Sequence, residues 1–551
     1  MQAYLTAGLA FVCLATATVE SGGYTPSRCL TRQVDAFYPR SALEASDPSM
    51  QARRGPPPNP QLGDEWLWYI WDLGGYPEAS LLPCTVRGMG EHCYVVVENS
   101  QWGVTVNQDD VDAIVERFNS SSPGPIPTMG IYDICTQAFG DPPDALDNDP
   151  RIYLLYYDFQ IGADGYFWMF DQFPDGTQPF ASNECEVLYL NSAAADPGGD
   201  YLLAVAAHEF QHMIHFRHDA NEASWVDEGM SELAMYLYGH PDVITGFPSN
   251  PDNNLTVWNG SWADYIKVYL WSLYLFEHHG GVDLTWALVH EPANGIAGYD
   301  TVLAELGYSE RFTDVFLRWV VANFIDDTSF ADGIYGYSLT DLPGFAHSLH
   351  TAFPVEPLSR FVNHWAADYV VFRDGTDLSF SFDGADNEQF MLQACTRNTG
   401  TTLSVQAYPA GAGQAASFSL PEFGIAYEDA VVIITSIAST GSGTYQYEAA
   451  ASPPGIPPIT DLVCTAVNGS IVLAWSARPF AQWYSVYAAQ APYFATGSVT
   501  PTTVMTTTFT HVDAVLPGAS WYYLVRGQNL FTESIDSNRV GAATGGLDLP
   551  G

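Results

Sequence analysis

In a chain of 551 residues, 47% are hydrophobic and 14% aromatic, enough for several packed cores, which excludes an intrinsically disordered protein. At roughly 100–200 residues per domain, three or four domains are expected. Eighteen basic residues against 63 acidic ones leave a net charge of -45, so nucleic acid and anionic membrane surfaces are excluded as partners by repulsion. The acidity serves solubility and says nothing about chemistry. Lys267 is the single lysine of the chain.

Residues 1–20 run from Met1 through apolar and small residues to Val19, the length of a signal-peptide core and too short for a membrane span. Ala15 and Ala17 fit a cleavage site near Thr18, although the stretch lacks the usual lysine or arginine. Val12 stands before Cys13 where a lipid-anchored precursor needs a small residue, so no lipid anchor is expected. No later stretch is long and apolar enough to span a bilayer, and a secreted, extracellular chain without membrane insertion is expected. Residues 21–60 are rich in Pro, Arg and small residues and end in Gly55-Pro56-Pro57-Pro58-Asn59-Pro60; they read as a linker or pro-segment.

Residues 61–350 read as one domain with a strand-rich lobe (61–195) and a helical lobe (196–350). Tyr94–Val97, Ile152–Tyr157 and Val187–Leu190 are apolar runs of buried-strand length, and Asp110–Phe118 has helical periodicity. Cys84 and Cys93 flank a glycine-containing loop and are expected to be bridged in an oxidising compartment, with Cys135–Cys185 as a second pair. No close Cys-x-x-Cys spacing suggests a structural zinc site. Asp141–Asp149 carries four aspartates in a turn-rich stretch; a structural Ca2+ site competes there with a solvated acidic loop, and the loop is favoured.

Four segments of the helical lobe show the 3.6 period: Tyr201–Arg217, Ser224–Tyr238, Ser261–His279 and Arg311–Ile325. Ser224-x-x-Asp227 and Ser261-x-x-Asp264 have capping-box spacing, and Gly239 and Gly280 follow as C-terminal caps. Residues 351–452 alternate as in a jelly-roll-like β-sandwich, with Tyr369–Phe372 and Ala430–Ile434 as strands. A Pro-rich linker fills 453–458. Residues 459–545 hold about seven short strands and resemble a fibronectin type III module, with Trp475 and Tyr523 as core aromatics. Neither sandwich has a catalytic cluster; fold-level analogy alone suggests contact with polysaccharide or a surface protein. The fold class expected is multidomain α+β: a mixed sheet with active-site helices, then two β-sandwiches.

The segment that points to chemistry is His208-Glu209-Phe210-Gln211-His212. The i, i+4 spacing puts both imidazoles on one helix face, one turn apart, where two nitrogens can hold one zinc ion. Glu209 stands beside them, placed to take a proton from water. Catalytic zinc usually has three protein ligands, and two residues compete for third place. His218 lies ten residues after His208, the metzincin position, but His215 occupies the slot where that geometry uses glycine. Glu228, in Trp225-Val226-Asp227-Glu228-Gly229-Met230-Ser231-Glu232, falls in the first turn of the next helix and is favoured, because a buried carboxylate is costly unless it coordinates something.

His-Glu-Phe-Gln-His followed by Trp-x-x-Glu-Gly-x-Ser-Glu resembles the gluzincins, most closely secreted bacterial metallopeptidases of the hyicolysin type, over about Leu62–Asp327. The resemblance implies a zincin-like domain, one catalytic Zn2+ held by His208, His212 and Glu228, Glu209 as general base, and a protein or peptide substrate. Asp227 departs from the asparagine that relatives often carry; it either caps its helix or orients a ligand imidazole. Tyr265-Ile266-Lys267 is similar to the tyrosine helix of zinc aminopeptidases, which makes Tyr265 the expected oxyanion donor, with Tyr269 as the alternative. Glu232 reads as a residue behind the ligands, and His215, His278 and His279 as surface or satisfied histidines. The strand Val187–Leu190 is the expected edge for an extended substrate. Gly88-Met89-Gly90-Glu91-His92 lacks the asparagine of aminopeptidase amine-binding tracts, which favours an endopeptidase. Two other readings stay open: an inactive secreted binding or adhesion protein, and a metzincin-like enzyme with His218 as ligand. Cys29, upstream, is either a spare thiol, the ordinary reading, or a thiolate that blocks the metal as a zymogen switch.

Overall fold

The computed structural model describes residues 29–31, 56–72, 78–144, 146–441, 443–452, 455–515, 519–529 and 532–543. The expected signal peptide, Cys13, most of residues 21–60, and Pro453 and Pro454 of the linker lie outside them. The chain divides into two compact units: one reaches Ala346 and includes Asn363–Ala367, and the other comprises His347–Val362 and residues from Asp368 onward. Among the described residues, no helix is long and apolar enough to cross a membrane.

The first unit opens with β1 (Glu65–Asp72), β2 (Glu78–Met89) and β3 (Cys93–Glu98), followed by α1 (Gln108–Asn119) and α2 (Ile131–Phe139), then β4 (Ile152–Tyr157), β5 (Gly165–Phe167) and β6 (Val187–Asn191). They form one mixed sheet in the order β1-β2-β3-β4-β6-β5. β3, β4 and β6 run parallel, with α1 and α2 supplying the long crossover that a parallel pair requires. The runs Ile-Tyr-Leu-Leu-Tyr-Tyr and Val-Leu-Tyr-Leu-Asn are buried at every position, as strands covered on both faces must be. For that reason Val187–Leu190 is not the free edge expected from the sequence. β6 pairs on both sides, and the three-residue β5 closes the sheet.

The helices are α3 (Asp200–His218), α4 (Ser224–Tyr238), α5 (Trp262–His278), α6 (Val282–His290), α7 (Ile296–Glu305) and α8 (Phe312–Ile325). α3 is buried from Leu202 to Phe216 without a break, so it runs through the core and shows little amphipathic contrast. Ser261 caps α5 as expected: its hydroxyl accepts from the Asp264 amide (3.3 Å), and the Asp264 carboxylate accepts from the Ser261 amide (3.1 Å). The matching box at Ser224 is not formed. Ser224 is already helical, Ala223 is the N-cap without a side-chain bond, and the Asp227 carboxylate faces α3 instead. Gly239, at φ +108, ends α4 in the left-handed region that favours glycine.

The expected disulfides are also corrected. All seven cysteines among the described residues are free. In the β2–β3 ladder Cys84 lies opposite Glu98, at the far end of β3 from Cys93, so the hairpin register holds the two sulfurs apart. Cys135, on α2, directs its sulfur at the Ala207 carbonyl of α3 (3.8 Å), while Cys185 lies buried just ahead of β6.

Lys267 is buried at the start of α5. Its ammonium donates to Asn253 Oδ1 (3.0 Å), the Asn254 carbonyl (2.7 Å), the Val257 carbonyl (2.9 Å) and Asp264 Oδ1 (2.9 Å). It thereby ties the preceding loop to the turn that carries Tyr265. Replacing one partner of a buried ion pair strands the other, so Lys267→Met is expected to cost about 3–5 kcal/mol. Urea denaturation of the full chain, followed by aromatic circular dichroism, reads this; a loss below about 1 kcal/mol would be that of a surface pair.

The second unit is all β. β7 (Ser348–His350) pairs with β9 (Ala366–Phe372), while β8 (Val355–Phe361), β10 (Thr376–Gly384), β13 (Ala415–Leu420) and β15 (Thr444–Ser452) form one sheet in the order β13-β10-β15-β8. β11 (Phe390–Asn398), β12 (Thr401–Pro409) and β14 (Asp429–Ser436) form another, in the order β12-β11-β14. The C-terminal module has β16 (Val463–Val467), β17 (Ser470–Ala474) and β20 (Thr508–His511) in one sheet. β18 (Trp483–Ala489), β19 (Thr502–Val504), β21 (Ser520–Gln528) and β22 (Val540–Ala543) make the other. Trp475 and Tyr523 sit in its core with Leu473, Tyr484 and Val525. A three-plus-four strand sandwich around two such aromatics is fibronectin type III-like.

Candidate metal centre

His208 and His212, one turn apart on α3, face the first turns of α4. Their Nε2 atoms are 3.2 Å apart. Glu228 Oε2 lies 3.6 Å from the first and 3.9 Å from the second. Cys29 Sγ lies 3.6 Å from His212 Nε2. One donor atom from each of the four residues falls within 4.8 Å of every other. A tetrahedral zinc with bonds of about 2.05 Å to nitrogen and 2.3 Å to sulfur separates two nitrogens by about 3.3 Å and a nitrogen from a sulfur by about 3.6 Å. The donor set and its spacing therefore fit zinc. His212 and Glu228 are 0% exposed, and a carboxylate buried so deeply is costly unless it is paired or holds a cation.

The far side of each imidazole is held. His208 Nδ1 is 3.3 Å from Glu232 Oε1. His212 Nδ1 is 3.2 Å from Asp227 Oδ1 and 3.1 Å from Ser231 Oγ, whose own proton goes to Gln211 Oε1. Carboxylates at both Nδ1 atoms keep the proton there and turn both Nε2 lone pairs toward the shared point, as ligand histidines require. Asp227 also meets His215 Nδ1 at 2.8 Å. Of its two readings, orientation of an imidazole is thus the one the geometry fits. Burial acts to lower the His208 pKa, but its contacts with Cys29, Glu228 and Glu232 outweigh this and raise it well above the ordinary range.

Glu209 is fully buried beside the cluster. Its Oε2 accepts from the Thr31 hydroxyl (2.7 Å), and its Oε1 has no hydrogen-bond partner among the described residues. Burial pushes its carboxyl above the usual range. A cleft lined by Cys29, Gly165, His208, Glu209, Glu232 and Tyr265 opens here. The Tyr265 ring centre is 6.4 Å from that of His208, and the ring packs edge-on to Trp258 at 4.7 Å. Burial, then the charge of Glu228, raises its phenol well above 10.0. Tyr269, one turn on, packs near Tyr236 (6.4 Å) and is not among the cleft residues.

The other sequence candidates lie elsewhere. His218 Nε2 is 3.0 Å from the Asp141 carbonyl, and its ring lies tilted against His290 at 3.9 Å, so the structure does not bring it to the cluster. His278 meets the Gly336 carbonyl (3.1 Å), and His279 is buried 3.9 Å from Glu310. Gly88–His92 spans the end of β2 and the turn into β3, and a side chain on Gly88 would strike Val111 of α1. Asp144 and Asp147 meet Glu186 in a separate acidic group, where burial and the Asp147 charge push Glu186 up to about 8. Sequence reasoning missed two residues. Thr31 touches Glu209 from 178 positions away, a contact no local pattern announces. Asp242 lines the cleft beside Glu232.

No protein-family model matches the chain, and no curated protein matches it. Solved structures do. A two-domain fibronectin type III segment of chicken tenascin is 14% identical, covering 35% of this chain and 99% of that one at a TM-score of 0.20. An Fn3-like protein from Clostridium thermocellum is 23% identical, covering 15% and 84% at 0.13. A beta-1,2-glucanase from Parabacteroides distasonis is 18% identical, covering 31% and 28% at 0.14, so the match takes in little more than a quarter of the glucanase chain. The first two share a fibronectin type III-like description; nothing about chemistry follows from TM-scores this low.

Proposed function

We propose that the chain is a secreted zinc metalloendopeptidase with a zincin-like first unit of the gluzincin kind. The observation that carries the reading is the convergence of His208 Nε2, His212 Nε2 and Glu228 Oε2 on one buried point, with carboxylates behind both rings and Glu209 alongside. When bound there, zinc lowers the pKa of a water toward about 7 and polarises a carbonyl. Glu209, through Oε1, the oxygen that Thr31 does not engage, takes the proton and passes it to the leaving amine. The Tyr265 hydroxyl donates to the oxyanion. β5, the short terminal strand of the sheet beside the cleft, offers its backbone to an extended peptide by strand addition. An endopeptidase is preferred because Gly88–His92 lacks the asparagine of amine-binding tracts and is not among the residues that line the cleft. The two β modules serve attachment to a polysaccharide or a surface protein.

Metal analysis and a peptide-library digest test this, on the full chain and its Cys29→Ser variant, each with and without chelator. One zinc per chain and chelator-sensitive cleavage by at least the variant are expected. A zinc-free chain that cleaves nothing overturns the reading in favour of a binding protein.

A further inference from the structure

The Cys29–Thr31 tripeptide occupies the cleft just assigned to substrate. The Leu30 amide donates to the Gly165 carbonyl on β5 (3.1 Å), and the Phe167 amide of the same strand donates to Thr31 Oγ1 (2.8 Å). Thr31 Oγ1 in turn donates to the carboxylate of Glu209 (2.7 Å). Those contacts place Cys29 Sγ 3.6 Å from His212 Nε2, within the same group of donors as His208 and Glu228. A spare thiol has no reason to stand at the nitrogen-to-sulfur spacing of a tetrahedral zinc site, with its chain neighbours bonded to the strand edge and to the proposed base.

Resting on the metallopeptidase reading, we propose that this tripeptide is a built-in inhibitor. Cys29 is the fourth ligand of the metal, and Thr31 occupies the carboxylate that would otherwise act as base. On coordination the Cys29 thiol loses its proton to solvent and gives a sulfur electron pair to the ion; no oxidant or reductant takes part. Structural zinc sites are closed by four protein ligands, whereas catalytic ones keep a position open. With Cys29 in place the site is of the closed kind, and it becomes catalytic when the tripeptide leaves β5. The peptide substrate and the tripeptide then compete for one strand edge and one coordination position.

The test uses the full chain and its Cys29→Ser variant, with cobalt(II) exchanged for zinc in part of each preparation. The wild-type cobalt chain is expected to show a near-ultraviolet sulfur-to-cobalt charge-transfer band that the variant lacks. If the latch is closed in nine molecules of ten or more, the zinc variant cleaves peptides at least about tenfold faster than the wild type. Absence of the band in the wild-type chain, or cleavage by both chains at equal rates with zinc bound in both, overturns the inhibitor. A wild-type band with no cleavage by either chain leaves Cys29 a ligand and overturns the peptidase reading instead. The variant alters a residue outside the core, and the wild-type spectrum stands whether or not the variant folds.

Discussion

Glu209→Gln, made in the Cys29→Ser chain, is expected to lower peptide hydrolysis by about 10²–10⁴-fold, the usual contribution of a general base. The substitution keeps volume and shape in a fully buried position, and its amide oxygen can still accept from Thr31. What it removes is the ability to accept a proton at Oε1, the oxygen that is not bonded to Thr31. His208, His212 and Glu228 are untouched, so zinc stoichiometry and the unfolding midpoint should stay as they are. That separation makes the variant decisive: a fall in rate with metal retained assigns proton transfer to Glu209, whereas a fall with metal lost would report only damage to the cluster. Undiminished hydrolysis by the variant would show that the base is another group, and the mechanism would have to be abandoned.

Much of this site was legible before any fold was in hand because its residues are close in sequence. The four-residue interval of His208 and His212 fixes their common face through helix geometry alone, and Glu228 falls one turn into the next helix, whose first turn packs back on the first. The same local logic failed where a residue has two satisfiable partners. Asp227 has the spacing of a cap, yet its carboxylate turns to His212 and His215, since buried imidazoles need it more than an amide at a helix start. Strand order was not legible either. Val187–Leu190 is so uniformly apolar that it had to be interior, and the true edge is the short Gly165–Phe167, which carries too few residues to register as a strand. Pairing of Cys84 with Cys93 looked natural from their separation, but separation along a hairpin says nothing until the register is known. The contacts of Cys29 and Thr31 bridge roughly 180 residues and are a property of the fold alone.

The choice between Glu228 and His218 leads to the sharpest expectation about metal binding. In the intact chain Cys29, His208 and His212 remain after loss of Glu228, and three donors can retain zinc; the single variant is therefore a poor discriminator. In the Cys29→Ser background, Glu228→Ala leaves only two imidazoles, and zinc should fall from about one per chain to near none after dialysis. His218→Ala in the same background removes a contact to the Asp141 carbonyl and a ring packed against His290, and should keep its zinc in full. Asp227→Ala should fall between them, losing about 10–100-fold in affinity because it takes the carboxylate from behind His212 and leaves only the Ser231 hydroxyl at its Nδ1, without removing a ligand. The readout is metal per chain by elemental analysis, so it is independent of any substrate. An emptied site in the His218 variant with a filled one in the Glu228 variant would reverse the ligand assignment and restore the metzincin-like arrangement.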